Sequence, residues 1–452
     1  MRVFGKTSRG SLTLVALCFT AVIGIALASY LALSYQSYQH SERTLQLNRA
    51  RHLAETGLEE ALWSLNNGAW TNATWTVSGV NTSCTLTGYD MGEGATGSIA
   101  ITINNYNSSS TPSIKSVGTV TLAAGGQLTK TLNATTKPAP LYPNAIASTN
   151  ANNGGLSFNS GGTVDSWNSN PSGDGVTFVA YATPGSYNTA VNCAAVVAAP
   201  NIALGSATVY GYATTFGNSV GTTGSTKIKG PTTPGGTNID TARVGKSAFV
   251  PVYPVAVPAS YSVTGTLDGS SQTIGTPNGP TEYWSSPGDL TLNATTITVQ
   301  GPAVIIVHGS LTIYSGARIV VNATGQSRLE LFVSSDVSIG ITPHGSTTWL
   351  DNLTNQPRNF ALYSTSVSSF RAFNYYTSRD FCGVIYSAAP APITVDTATT
   401  NSFCGALLCN DDVVFVSGTA PNFHYDTYLQ NLPKGWFKGV TTPFLIVRID
   451  ET

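Results

Sequence analysis

The sequence predicts a mainly β protein with one long N-terminal α-helix: an α+β head followed by a parallel β-helix (solenoid) domain. Three observations predict it. An uncharged apolar run, Leu12 to Leu33, passes without a break into a helical pattern that lasts to about Asn66. From Trp70 the apolar spacing switches from three and four residues to two. The remainder is dominated by Thr, Ser, Asn, Gly, Ala and Val, with 45 Gly and 23 Pro in 452 residues. That composition suits short strands and turns and disfavours long soluble helices.

The bulk numbers exclude some functions. Only 10% of residues are charged and the net charge is -1, which gives no electrostatic case for nucleic acid, a partner that needs a basic face. The hydrophobic fraction of 41% is enough for a packed core and too high for a disordered chain.

Each element follows in order. Arg2, Lys6 and Arg9 precede the apolar run. At helix rise the run reaches about 33 Å, enough to span a bilayer. The basic residues place the N-terminus in the cytoplasm and the body outside. Leu45, Leu53, Ala54, Gly57, Leu58, Ala61, Leu62 and Leu65 then recur at three- and four-residue steps, with Glu42, Arg43, Arg49, Arg51, Glu55, Glu59 and Glu60 between them. This second half is amphipathic and is expected to lay one face on a globular domain. "NNG", Asn66 to Gly68, is a stop signal. "TWTVSGV", "GSIAITINNY", "IKSVGTVTLAAGG" and "QLTKTLNATT" read as strands, with "LAAGGQL" as a hairpin turn. "KPAPLYPN" reads as a linker. The expected boundaries are 1–10 leader, 11–66 helix, 67–140 sheet head and 141–452 β-helix.

Within the last region short strands recur every few residues. "FVPVYPVAVPAS", Phe249 to Ser260, has too many prolines for a central strand and is expected to cross between two halves of the domain. "DFCGVIYSA" from Asp380 and "SFCGALLCN" from Ser402 repeat at 22 residues, a reasonable circuit of a β-helix. Cys382 and Cys404 would then be stacked neighbours about 4.8 Å apart. Two outcomes are open there: a disulfide, or two buried thiols in a ladder of small residues. None of the 6 cysteines forms a CxxC pair or a zinc spacing.

The N-terminus carries a resemblance. "SRG" followed by "SLTLVAL" resembles the signal of type IV pilins and type II secretion pseudopilins, and "ARHLAETGLEEALWSL" is similar to a block in the PilX-like minor pilins. The resemblance implies cutting by a prepilin peptidase between Gly10 and Ser11, with methylation of the new N-terminus. The competing site is a secretory cut after "ALA", Ala26 to Ala28. Ser11 departs from the Phe that is frequent there. Val15 stands where shaft pilins carry Glu, so the resemblance implies a tip or initiating subunit. The size of the body points the same way, since a large β-domain on every subunit would clash in a shaft.

The resemblance further implies other pilins, the assembly machinery, the prepilin peptidase and the inner membrane as partners. The β-helix would be presented for adhesion, with a surface or carbohydrate ligand, or for assembly priming. The C-terminal block is similar to the β-helical domain that follows such N-termini, and its motif falls on Phe423, His424, Tyr425 and Asp426. His424 and Asp426 share a strand face, and are expected to cap the last coil or, less expectedly, to bind something.

No H-E-x-x-H, P-loop or EF-hand motif is present. The expectation is no catalytic residues, no metal and no cofactor. The rival reading is a membrane-tethered β-helix enzyme or binding protein acting on extracellular polysaccharide, with Asp336, Arg371, Arg379, Asp380, Asp396, Asp411 and Asp412 as its candidates. His308 and His344 are isolated, and "SGDG" and "TLDGS" read as turns before they read as Ca²⁺ loops.

Overall fold

The computed structural model describes residues 9–68, 70, 74–107, 111–149, 155–159, 161–181, 194–216, 220–245, 253, 255–258, 261–314, 316–323, 326–340, 349–365, 373–376, 380–396, 402–416, 422–440 and 442–452. The protein is mainly β with one long N-terminal helix, α1 (Arg9–Asn67). It divides into two units: Met1–Pro138 with Pro443–Thr452, and Ala139–Thr442.

In the first unit α1 changes character along its length. Residues 12–41 are exposed throughout. This part is long and apolar enough to cross a membrane. Its hydroxyls turn back on the helix, as Thr20 Oγ1 donates to the Ala16 carbonyl and Ser29 Oγ to the Ile25 carbonyl. From Gln46 one face becomes buried: Ala50, Leu53, Ala54, Leu58, Ala61 and Leu65 are 0–5% exposed. The helix ends at the expected stop, where Gly68 adopts φ +65°.

The buried face packs on an antiparallel sheet of β1 (Trp75–Ser78), β2 (Asn81–Asp90), β3 (Thr96–Asn104), β4 (Ser113–Thr121), β5 (Gln127–Pro138) and a C-terminal strand, Phe444–Glu451. β3 alternates: Ile99, Ile101 and Ile103 face the helix, while Ala100 and Asn104 face out. Glycine lets the layers meet. A Cβ at Gly118 would strike the Ala50 carbonyl and the Ala54 amide of α1, and one at Gly57 would strike Ser116 and Ile99. The "A-E-T-G-L-E-E-A" block is therefore a close helix–sheet contact surface.

The C-terminal strand corrects the expected boundary, because 443–452 belongs to this sheet and not to the region before it. It pairs antiparallel with β5, Leu445 opposite Lys137. The Asn66 side chain at the end of α1 fixes its start, donating to the Phe444 carbonyl at 3.2 Å and accepting from the Phe444 amide at 2.6 Å. The strand Asn81–Asp90, which the sequence patterns do not single out, supplies the second row of the sheet.

The second unit is built from parallel sheets of 14, 9 and 4 strands among the described residues. From Glu282 to Phe360 the chain visits them in a repeating order, and from there to Asp426 it alternates between the two larger sheets. Glu282–Ser286 lies in the largest, Leu290–Leu292 in the next, Thr296–Val299 in the smallest, and Pro302–Val307 returns to the largest beside Glu282–Ser286. The two "FCG" repeats lie in register, Phe381 beside Phe403, Cys382 beside Cys404 and Gly383 beside Gly405. Like residues thus stack on like. Phe360, Phe381, Phe403 and Phe423 form an aromatic ladder with ring centroids 5.5, 4.9 and 4.6 Å apart, each ring buried.

Spatial order departs from chain order. Beyond Asn422–Asp426 the next strand is Thr163–Trp167, followed by Thr208–Thr214. Residues early in the unit stack on its late ones. The chain leaves Val244–Gly245 near one end of the largest sheet and reappears in Gly265–Thr266 at its opposite edge. The proline-rich segment Phe249–Ser260 lies between these points. Of it, Tyr253 and Val255–Pro258 are described, and the rest lies outside the described residues. Tyr386 Oη donates to the Tyr253 carbonyl at 2.6 Å and the Ala256 amide to the Gly439 carbonyl at 2.9 Å.

Candidate functional site

Gly10 and Ser11 lie in the backbone of the first turn of α1. Val15 lies one turn further along and is 51% exposed, on the part of the helix that is exposed throughout.

The expected C-terminal motif occupies Asn422–Asp426 and splits by face, as strand alternation requires. Phe423 stacks on Phe403, and buried Tyr425 donates its hydroxyl to the Tyr142 carbonyl at 2.7 Å. His424 and Asp426 occupy the alternate positions, and each has its own partners. Asp426 accepts from the amides of Ser169 and Tyr428, at 2.9 and 3.1 Å. It thereby caps the short 3₁₀ turn Thr427–Asn431. Burial pushes its carboxyl up, and the two amides oppose that push. The motif does not close the last coil, because Thr163–Trp167 stacks directly on it.

That added strand brings Asp165 beside His424. The fully buried Asp165 places Oδ1 2.6 Å from His424 Nδ1 and accepts from Tyr181 Oη on Oδ2 at 3.2 Å. The Tyr181 ring covers the imidazole at 3.7 Å, tilted 18°. The other imidazole nitrogen, Nε2, lies 3.3 Å from Ser402 Oγ. A carboxylate can only accept, so Nδ1 carries the proton, and in the neutral ring Nε2 accepts from the Ser402 hydroxyl.

Ser402 lines a cavity of about 380 Å³, together with Tyr181, Asn352, Asp380, Cys382 and Cys404. A second cavity of about 730 Å³ is lined by Phe178, Arg328, Gln356, Arg358, Trp436 and others. Leu353 lines both. Arg358 lies 3.6 Å from the Phe178 ring centroid and 4.6 Å from that of Trp436, with Arg328 5.4 Å from Trp436. This makes one wall a stack of guanidinium and aromatic planes. Burial lowers the pKa of Arg358.

Cys382 and Cys404 are neighbours in register, as expected, but both are free thiols. Burial raises both thiol pKa values, so neither is a ready nucleophile at neutral pH.

The carboxylates weighed for polysaccharide cleavage are not gathered in these cavities. Asp380 alone among them lines either one, and it is held by the Ser402 amide at 2.7 Å. Asp412 accepts instead from the Gly155 amide at 2.9 Å. Arg371, Arg379, His344 and Cys193 lie outside the described residues. In the two Asp–Gly turns, Asp174 is occupied by Val176 and Thr177 and Asp268 by Ser270 and Gln272. Those donors hold both carboxyls below the usual range. Among the described residues no group of three or more His, Cys, Asp or Glu is placed to hold a metal.

Sequence reasoning missed Asp165, Tyr181 and Ser402 as partners of His424. They come from three separate segments, and no local spacing links them. Residues 259–432 match a family model described as a domain of unknown function (DUF7305). The match includes Ser402 and His424 and stops short of Asp165. No curated protein and no solved structure matches the chain.

Proposed function

We propose that the chain is a pilin-like minor subunit of a type IV pilus or type II secretion pseudopilus. In this reading a prepilin peptidase cuts after Gly10, and α1 anchors the product in the inner membrane with its N-terminus cytoplasmic. The subunit then joins a filament with other pilins through the assembly machinery. The observation that carries the reading is the two-part character of α1. One unbroken helix is apolar and exposed over residues 12–41, then packs by small residues on an antiparallel sheet. The first half suits a membrane and later a bundle of like helices, and the second half suits a pilin head.

The second unit is read as a parallel β-helix, supported by the repeated return of the chain to the same parallel sheets and by the in-register ladders. It is the module presented for adhesion or for priming assembly. Val15 supports a tip or initiating position. A shaft subunit uses a carboxylate there to meet the ammonium of a neighbour, and valine offers no such pair.

Immunogold detection on sheared filaments tests the position. Label confined to filament ends supports the tip reading. Label distributed evenly along the shaft overturns it, and label only in the membrane fraction overturns assembly itself.

A further inference from the structure

We propose that Ser402, His424 and Asp165 form a serine-hydrolase triad that removes acyl esters from polysaccharide bound in the adjoining cavities. The inference goes beyond a display role, does not depend on filament assembly, and reverses the expectation of no catalysis that the sequence motifs support.

The geometry assigns each role. Asp165 Oδ1, 2.6 Å from Nδ1, fixes the tautomer and stabilises the imidazolium that forms. Tyr181 holds the second carboxylate oxygen and covers the ring. Both are positioning residues. His424 Nε2 is then directed at Ser402 Oγ at 3.3 Å, a separation within the range of triads that await substrate. Ser402 lines the cavity and His424 does not, so of the pair the serine is the residue an entering ester meets.

The chemistry balances with water alone. Ser402 Oγ attacks the ester carbonyl while its proton passes to His424 Nε2. The C–O bond to the alcohol breaks and the leaving oxygen takes that proton. Water then attacks the acyl-serine, gives a proton to Nε2, and the proton returns to Ser402 as the acid leaves. Ester and water become acid and alcohol.

The substrate class follows from the walls. The cavity at Ser402 is sized for a short acyl group and one or two sugar rings. The larger cavity that shares Leu353 offers Thr281, Gln326, Thr354, Gln356 and Asn359, groups suited to a hydroxyl-rich chain. Neighbouring Cys404 lines the same cavity, but its buried thiol remains protonated at neutral pH, which leaves the serine as nucleophile.

The test uses the full chain in detergent, with a fluorophosphonate probe, p-nitrophenyl acetate and acetylated xylan. The expected result is a covalent adduct on Ser402 by peptide mass spectrometry. Ser402→Ala should lose the adduct and the release of acetate. Asp165→Asn should reduce hydrolysis by about 100-fold or more with its circular dichroism spectrum unchanged. A folded wild-type protein that takes no probe and hydrolyses neither ester faster than Ser402→Ala overturns the proposal. Hydrolysis of p-nitrophenyl acetate that needs Ser402, with acetylated xylan untouched, overturns the polysaccharide assignment and keeps the triad.

Discussion

The antiparallel sheet beneath α1 and the parallel sheets of Ala139–Thr442 bury their apolar residues in opposite ways. In the first unit neighbours in the sheet are mostly neighbours in sequence, joined by turns such as Leu122–Gly126 between β4 and β5. Its core is thin, a helix stripe on one sheet face, and it depends on small residues that let backbone approach backbone. In the second unit most strands lie beside one a circuit away, some early strands lie beside late ones, and the core is a set of ladders in which rings stack on rings. The first arrangement concentrates its strain at a few glycines. The second spreads stability over repeating rows, each dependent on the rows beside it.

The largest expected effect probes the ladders. Phe403→Ala removes a ring held between Phe381 and Phe423 and should cost about 3–5 kcal/mol. Hydrogen exchange followed by mass spectrometry should show faster exchange in peptides covering 381–387 and 422–426, with β3–β5 unchanged. Equal loss of protection in β3–β5 would break the distinction between the units.

The next effect separates the units by pH. In the second unit burial raises Glu330 from the model-peptide value of 4.5 to about 7, although the Lys438 and Gly439 amides and nearby Arg328 oppose the shift. Between those pH values the unfolded chain has released a proton that the folded one retains. The contribution of Glu330 to the stability of the second unit should therefore be fully present below pH 4.5, fall by about 3 kcal/mol as pH rises to 7, and level off above. Glu330→Gln should flatten that slope in a pH series of urea melts. The first unit relies on partly exposed pairs such as Lys130–Glu451 at 2.7 Å, which contribute little.

The smallest effect sharpens the contact in the first unit. Gly118→Val drives a side chain into the α1 backbone and should cost about 1–3 kcal/mol. Exchange should rise along residues 50–65 and leave the 403–423 ladder as it was. Gly125→Ala, at a turn where nothing lies within 4 Å of an added Cβ, is the control for glycine loss as such; its φ of +80° makes any cost local to the turn.

Much of this architecture was legible because its signals are local. The three- and four-residue spacing of Leu53 to Leu65 located the buried helix face, and the repeated Phe-Cys-Gly located a register of two parallel strands. What was not legible depends on residues far apart in the chain. Nothing near Phe444 says that the last strand returns to β5. Nothing near Asp165 says that it lies beside His424, because that pairing exists only once the early strands of the unit stack on the late ones. Ser402 stood inside a recognised repeat, and its diagonal place next to a histidine on the following row was invisible to a repeat count. Of the two outcomes left open at Cys382 and Cys404, the structure has the free thiols, side by side in register.

The pilin reading rests on where the chain is cut. N-terminal sequencing of the mature protein, purified from cells that contain a prepilin peptidase, tests it most directly. The account predicts a methylated Ser11 as the first residue with the whole apolar stretch of α1 retained. A first residue at Ser29, as a secretory cut after Ala28 would leave, or an intact Met1, would contradict it.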